Sequence, residues 1–263
     1  VLYCADESVA GTPFYVMGFV DGRVFWNPDM PGPNPPERAA IYDAMVETIA
    51  RLHFYDPAAL GLSDFGRGEN YVARQVDRWS KQYRASQTRK IDEMERLIEW
   101  LPAHIPPSGP VRLVHGDYRL DNMIFARNEA RVLAVLDWEL STIGDPLADF
   151  SYHLMAWHMP PEETGAGTGS LTGFDLKSLG IPSMAEYVEM YRGRTGLDPR
   201  PHLAAYLAYN FFRIAAILQG IAGRVRDGTA TNEHAAAKAS MVRPLAEVGW
   251  RFAREAGARE PRT

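Results

Sequence analysis

At 263 residues, with 46% hydrophobic and 23% charged side chains, the chain has the make-up of a folded, enzyme-sized protein, which excludes a disordered or fibrous one. A net charge of −5, from 28 basic and 33 acidic residues, gives no basic surplus for nucleic acid. The single cysteine, Cys4, excludes an internal disulfide and argues against a thiolate zinc site. No apolar run reaches the length of a membrane span, and the first residues do not read as a signal segment. A cytoplasmic protein without a membrane partner is expected.

In chain order, Val1–Ala5 and Phe14–Val20 read as strands, with Asp6–Thr12 as a turn between them. Trp26–Pro36 is rich in Pro, Gly and Asn and reads as a loop. Ile41, Met45, Ile49 and Leu52 recur at helical spacing and predict a helix over about Glu37–His53. Two more helical stretches follow, about Glu69–Ala85 and Thr88–Leu101, the second ended by Pro102, Pro106 and Pro107.

The stretch Val111–Phe150, VRLVHGDYRLDNMIFARNEARVLAVLDWELSTIGDPLADF, carries the chemistry. Apolar residues lead into His115-Gly116-Asp117. Asn122 opens the run Met123–Phe125, Ala126–Glu129 reads as a turn, and Val132–Leu136 ends on Asp137. Two short apolar runs around a polar loop predict a hairpin. Asn122 and Asp137 would then stand at neighbouring strand ends, beside the loop that holds Asp117. Phosphoryl transfer needs a carboxylate to orient the acceptor hydroxyl and take its proton, and hard oxygen ligands for magnesium. Asp117 fits the base, and Asn122 and Asp137 fit the metal ligands. His115, two residues before the base, reads as a loop-holding residue. Arg119 and Asp121 stand where either can touch acceptor or phosphate.

Beyond this stretch, Pro146 fits the first turn of a helix capped by Asp145 and running to about Trp157. Trp157 and His158 suit an acceptor pocket as well as ordinary packing. Pro160–Gly173 reads as a mobile loop near a substrate. Ser183–Glu186 has the spacing of a capping box. His202–Val225 reads as a buried central helix, interrupted by Tyr206, Asn210, Arg213 and Gln219. A cation at Arg213 needs a partner, either a loop aspartate or a bound anion. A last helix from about Asn232 should be bent or broken near Pro244.

The motifs HGDYRLDN, VLDWE and GDPLADF, in this order and spacing, resemble the aminoglycoside phosphotransferase and choline kinase superfamily. The wording is similar to the phosphotransferase-like domains related to acyl-CoA dehydrogenases. The resemblance implies an α+β, protein-kinase-like fold with a mostly helical large lobe and a catalytic β-hairpin. Residues 1–20 would be a remnant of the small β-lobe plus the hinge, and 21–263 the large lobe with the catalytic site. Gly18, Phe19 and Val20 would then meet the adenine edge through their backbone, with Met17 lining its pocket.

An ATP- and Mg2+-dependent kinase acting on a small-molecule hydroxyl follows. The segments 156–173 and 206–226 hold only Glu162 and Glu163 as acids, beside Arg213 and Arg224. That leans toward a neutral or anionic acceptor, such as a hydroxyacyl-CoA, with Arg119, Trp157 and Arg213 as candidate substrate residues. No phosphate-binding lysine precedes Tyr15, and the first lysine is Lys81. Residues 1–263 alone are therefore expected to bind ATP weakly and to be inactive. Apolar surface left bare around Val1–Tyr3 and Phe14–Val16 invites self-association as a homodimer. The alternative is a kinase-like binding module without turnover.

Overall fold

In a computed structural model that describes residues 1–107, 109–161, 169–229 and 234–259, the amino end forms a small hairpin. β1 (Leu2–Cys4) pairs antiparallel with β2 (Phe14–Val16), Tyr3 opposite Tyr15. Between them lies a one-turn helix, α1 (Glu7–Ala10), where the sequence reading expects only a turn. The Asp6 carboxylate accepts the Ser8 N–H at 2.9 Å, which satisfies one of the donors a helix start leaves open. The second strand stops at Val16, four residues short of the expected end, and Met17–Val20 has no regular structure. Leu2, Tyr3, Tyr15 and Val16 are exposed.

α2 (Pro35–Phe54) begins where Asn34 accepts the Glu37 N–H at 3.0 Å, with Pro35 and Pro36 in the first turn, where a missing N–H costs nothing. It buries Ile41, Met45 and Ile49 as its periodicity predicts, together with Tyr42, Val46 and His53. α3 (Tyr71–Ser86) matches its expected range. α4 (Asp92–Trp100) starts four residues later than read, and its first turn gathers Asp92, Glu93 and Glu95, the charges that the positive end of a helix favours.

Two short antiparallel ladders follow, one nested in sequence inside the other. β3 (Arg112–Val114) pairs with β6 (Thr142–Gly144), and β4 (Met123–Phe125) with β5 (Val132–Val135). The inner pair is the expected hairpin; β6 is too short to show an alternation. α5 (Pro146–His153) is capped by Asp145, whose Oδ1 accepts the Leu147 N–H at 2.8 Å, and it tightens into a 3-10 turn over Leu154–Trp157. α6 (Leu176–Leu179) is a single turn, and α7 (Met184–Thr195) carries the expected capping box. Of the loop predicted over Pro160–Gly173, residues 162–168, Glu162 and Glu163 among them, lie outside the described residues.

α8 (Leu203–Arg226) is the buried axis, packed by α3, α5 and α10. Its contact with α10 (Val242–Glu255) is close because Gly249 has no side chain; a Cβ there would stand 3.2 Å from that of Phe211. The last helical region divides at Met241 into α9 (Ala235–Ser240) and α10. The interruption expected near Pro244 is thus a break, and Pro244 itself sits in the first turn of α10, where a proline is tolerated.

A cluster of rings, including Tyr42, Phe150, Trp157, Tyr187 and Tyr191, fills the space between α2, α5 and α7. Buried within it, His153 pairs with the Tyr187 hydroxyl at 3.0 Å. Burial keeps the imidazole neutral and lowers its pKa from 6.5 to about 4. The unfolded chain takes up this proton at higher pH, so the stability tied to His153 is complete above the unfolded value. It is lost as pH falls toward 4, on the order of 3 kcal/mol in all. Urea denaturation near pH 7.5 and near pH 4.5 should show a larger acid loss for wild type than for His153→Gln. Equal losses would contradict the assignment.

Candidate active site

The loop after β3 is held from below by one carboxylate. Asp149 of α5 accepts the N–H groups of His115 and Gly116, both at 2.8 Å. His53 of α2 stands 3.2 Å from the same carboxylate and 2.7 Å from the Tyr191 hydroxyl through its other nitrogen. Burial opposes ionisation of Asp149, yet the hydrogen bonds from His53 and from the loop outweigh it and hold the carboxyl below its ordinary range. Gly116 has φ +83, and a Cβ would fall 2.5 Å from the Leu140 carbonyl, so only glycine fits. His115 spans the loop, with Nε2 2.9 Å from the Leu136 carbonyl and Nδ1 accepting the Asp117 N–H at 3.2 Å.

Asp117 is gripped at both oxygens. Asn122 Nδ2 donates to Oδ2 at 3.2 Å and to the Asp117 carbonyl at 2.9 Å. The Tyr152 hydroxyl donates to Oδ1 at 2.6 Å, and Arg119 Nε lies 3.6 Å from that oxygen. With its amide hydrogens turned to Asp117, Asn122 keeps its carboxamide oxygen for another partner.

The hairpin register sets Met123 opposite Val135, and Leu136 donates to the Asn122 carbonyl at 2.8 Å. Asp137 follows directly, so it and Asn122 stand at adjacent strand ends. Asp137 has φ +63, the left-handed turn that Asp tolerates better than most residues, and it is exposed with its carboxylate unused as a cap. Among the described residues no three His, Cys, Asp or Glu side chains gather into a metal cluster. Two hard oxygen donors beside a carboxylate suit magnesium, which takes one or two protein ligands and completes its shell with phosphate and water.

Beside Asp117 runs a narrow slot of about 60 Å³, lined among others by Trp26, Met45, Tyr152, Ala156, Trp157 and Ile214, with Arg119 and Asp121 also on its wall. That volume holds roughly four waters at ~15 Å³ each. The polar tips of its walls are turned into the protein. Tyr42 donates to the Pro28 carbonyl at 2.8 Å, and Trp157 to the Pro182 carbonyl at 3.0 Å. Arg119 is paired with Asp121.

The structure thus sets Asn122 and Arg119 against Asp117, Asp137 at the strand end next to Asn122, and Arg119 and Trp157 on the slot wall. Arg213 does not make the loop-aspartate pair weighed for it. The partners found for it are the Gly116 carbonyl at 2.6 Å and the ring of Tyr152 at 5.0 Å, and it does not line the slot. His158 turns away onto Met184 and Phe252. Met17, Gly18, Phe19 and Val20 stand apart from the slot, with Met17 exposed and Phe19 92% exposed. They lead into Arg23, which exchanges backbone hydrogen bonds of 2.7 and 2.8 Å with Phe125 and so ties this segment to the β4–β5 hairpin. Tyr152 is the residue the sequence reading missed; within DFSYHLMAW it has the signature of core.

The sequence profile of the phosphotransferase enzyme family matches residues 1–187, and the chain belongs to that family. It is 45% identical over 259 residues to acyl-CoA dehydrogenase family member 10 of Mus musculus, covering 97% of this chain and 24% of that protein. With family member 11 of Rattus norvegicus it shares 43% over 256 residues, 97% of this chain and 32% of that one. The chain therefore spans about a quarter to a third of these curated relatives. A Ralstonia eutropha protein provisionally described as an aminoglycoside phosphotransferase superposes with a TM-score of 0.90 at 49% identity, over 97% of this chain and 77% of the other. A choline kinase from Cryptosporidium parvum, at 13% identity over 90% of this chain and 70% of its own, shares the fold alone, with a TM-score of 0.54. The α+β, kinase-like architecture expected from the motifs is the one observed.

Proposed function

We propose that the site transfers the γ-phosphoryl group of ATP to a hydroxyl on a slender, largely apolar small molecule that is neutral or anionic. The observation that carries this reading is the Asp117 carboxylate, fixed by Asn122 and Tyr152 beside the apolar slot. An acceptor hydroxyl reaching Asp117 from the slot gives up its proton to the carboxylate as its oxygen attacks phosphorus, and ADP leaves with the bridging oxygen. Asn122 and Asp137 would hold magnesium, which neutralises charge on the phosphates when bound. The segment around Gly18–Val20 would meet the adenine. Arg119, beside Asp117, faces the charge that develops on the transferred group.

The slot supports the acceptor class. Its walls are mostly apolar, and Asp121, the acid among the described residues that line it, is already paired with Arg119. A hydroxyacyl thioester belongs to the class that fits. The test is a panel of acceptors with Mg·ATP and the natural full-length protein containing residues 1–263. Straight-chain hydroxyl compounds should be phosphorylated and polycationic aminoglycosides should not; the reverse order would refute the acceptor class. Ala156→Phe, which plugs the slot, should raise the acceptor KM at least about tenfold and leave Mg·ATP affinity unchanged. An unchanged acceptor KM would move the acceptor elsewhere.

A further inference from the structure

On the basis of this phosphotransfer reading, we propose that Tyr152 is a positioning residue that aims the Asp117 carboxylate at the acceptor. Tyr152 lies on α5, 35 residues beyond the loop, and only the fold brings them together. Its hydroxyl donates to Oδ1 at 2.6 Å, the length of a charge-assisted O–H···O bond. The side chain is buried, with 5% of the residue exposed. Burial, and then the Asp117 charge, push the phenol pKa up, so the group keeps its proton and remains a donor.

Its ring is fixed in turn. The Arg213 guanidinium lies over it at 5.0 Å and donates at 2.6 Å to the carbonyl of Gly116, the residue before Asp117. One cation from α8 therefore braces both the loop and the tyrosine that restrains the base.

The restraint has an identifiable competitor. Arg119 Nε is 3.6 Å from the same Oδ1, too far to hydrogen-bond, and is itself buried without a hydrogen-bond partner. With the phenol hydroxyl removed, the carboxylate swings toward Arg119 and tightens this ion pair into a hydrogen bond. It then leaves the orientation that the Tyr152 hydrogen bond sets. A carboxylate has about four acceptor sites, so Tyr152, Asn122 and the acceptor hydroxyl can share Asp117 without displacing one another. Misplacement on the scale of an ångström is enough to cost about a hundredfold in rate.

The test is a double-mutant cycle on Asp117→Asn and Tyr152→Phe in the natural full-length protein, with Mg·ATP and 1-butanol, read as ADP release. That readout counts transfer to butanol and to water alike. Phe keeps the ring and its contact with Arg213, and calorimetry of Mg·ATP binding reports whether the site remains formed. Tyr152→Phe should lower kcat by about 10- to 100-fold with the ATP KM within about twofold of wild type. In the Asp117→Asn background it should cause no further loss, because its effect runs through the carboxylate. An equal, multiplying loss in both backgrounds, or an unchanged kcat, would overturn the role. Loss of Mg·ATP binding by Tyr152→Phe would also overturn it, by making the residue structural. A wild-type protein that releases no ADP would instead sink the phosphotransfer reading on which it rests.

Discussion

Asp117→Asn should lower turnover by about 10² or more and leave the Kd for Mg·ATP nearly unchanged. The exchange preserves shape. The new side-chain oxygen still accepts from Tyr152, as Oδ1 does at 2.6 Å, and the loop is still held through His115 and Gly116 by Asp149. What disappears is the ability to take the acceptor proton. The nucleotide is held by other groups, so binding and chemistry separate. The measurement is kcat by ADP release beside calorimetric titration with Mg·ATP. A loss confined to affinity would reassign Asp117 from base to binding group.

Asp137→Ala should abolish the magnesium dependence of nucleotide binding. Asn122 contributes a neutral oxygen, so Asp137 carries the formal charge of the two-ligand set. Because Asp137 sits at φ +63, alanine adds a backbone cost of about 1–2 kcal/mol unrelated to the metal. Asp137→Asn separates the two effects, since asparagine tolerates the left-handed turn and still lacks the charge. Both variants should bind ATP with the same affinity with and without magnesium. A normal magnesium response in Asp137→Asn would remove Asp137 from the metal site.

The parts of this site that were legible in the sequence are those that local chemistry writes down. The spacing of Asp117, Asn122 and Asp137 sits on two short apolar runs, and strands of that length leave little choice of register, so the neighbouring strand ends follow. The apolar spacing of α2 and the capping box of α7 are equally local. The slot is not. Trp26 comes from a loop, Met45 from α2, Trp157 from the turn after α5 and Ile214 from α8, and their spacing along the chain carries no trace of their meeting.

Arg213 shows the limit from another side. Burial of a cation predicts that a partner exists but does not name it, and the carbonyl of Gly116, which accepts from Arg213 here, carries no sign of that role in the sequence. Tyr152 is hidden for a similar reason. A tyrosine in an apolar helix looks like packing until the position of its hydroxyl is known. β6 and α1 are shorter than any period that would reveal them.

Phosphorus NMR of the natural full-length protein with Mg·ATP and 1-butanol tests the central claim most directly, because it observes the bond that forms. The account predicts a phosphate monoester resonance that grows with ADP, requires magnesium and falls by about 10² or more in Asp117→Asn. Ester formation at the wild-type rate in Asp117→Asn, or ATP consumed with no ester from any hydroxyl acceptor, would contradict it.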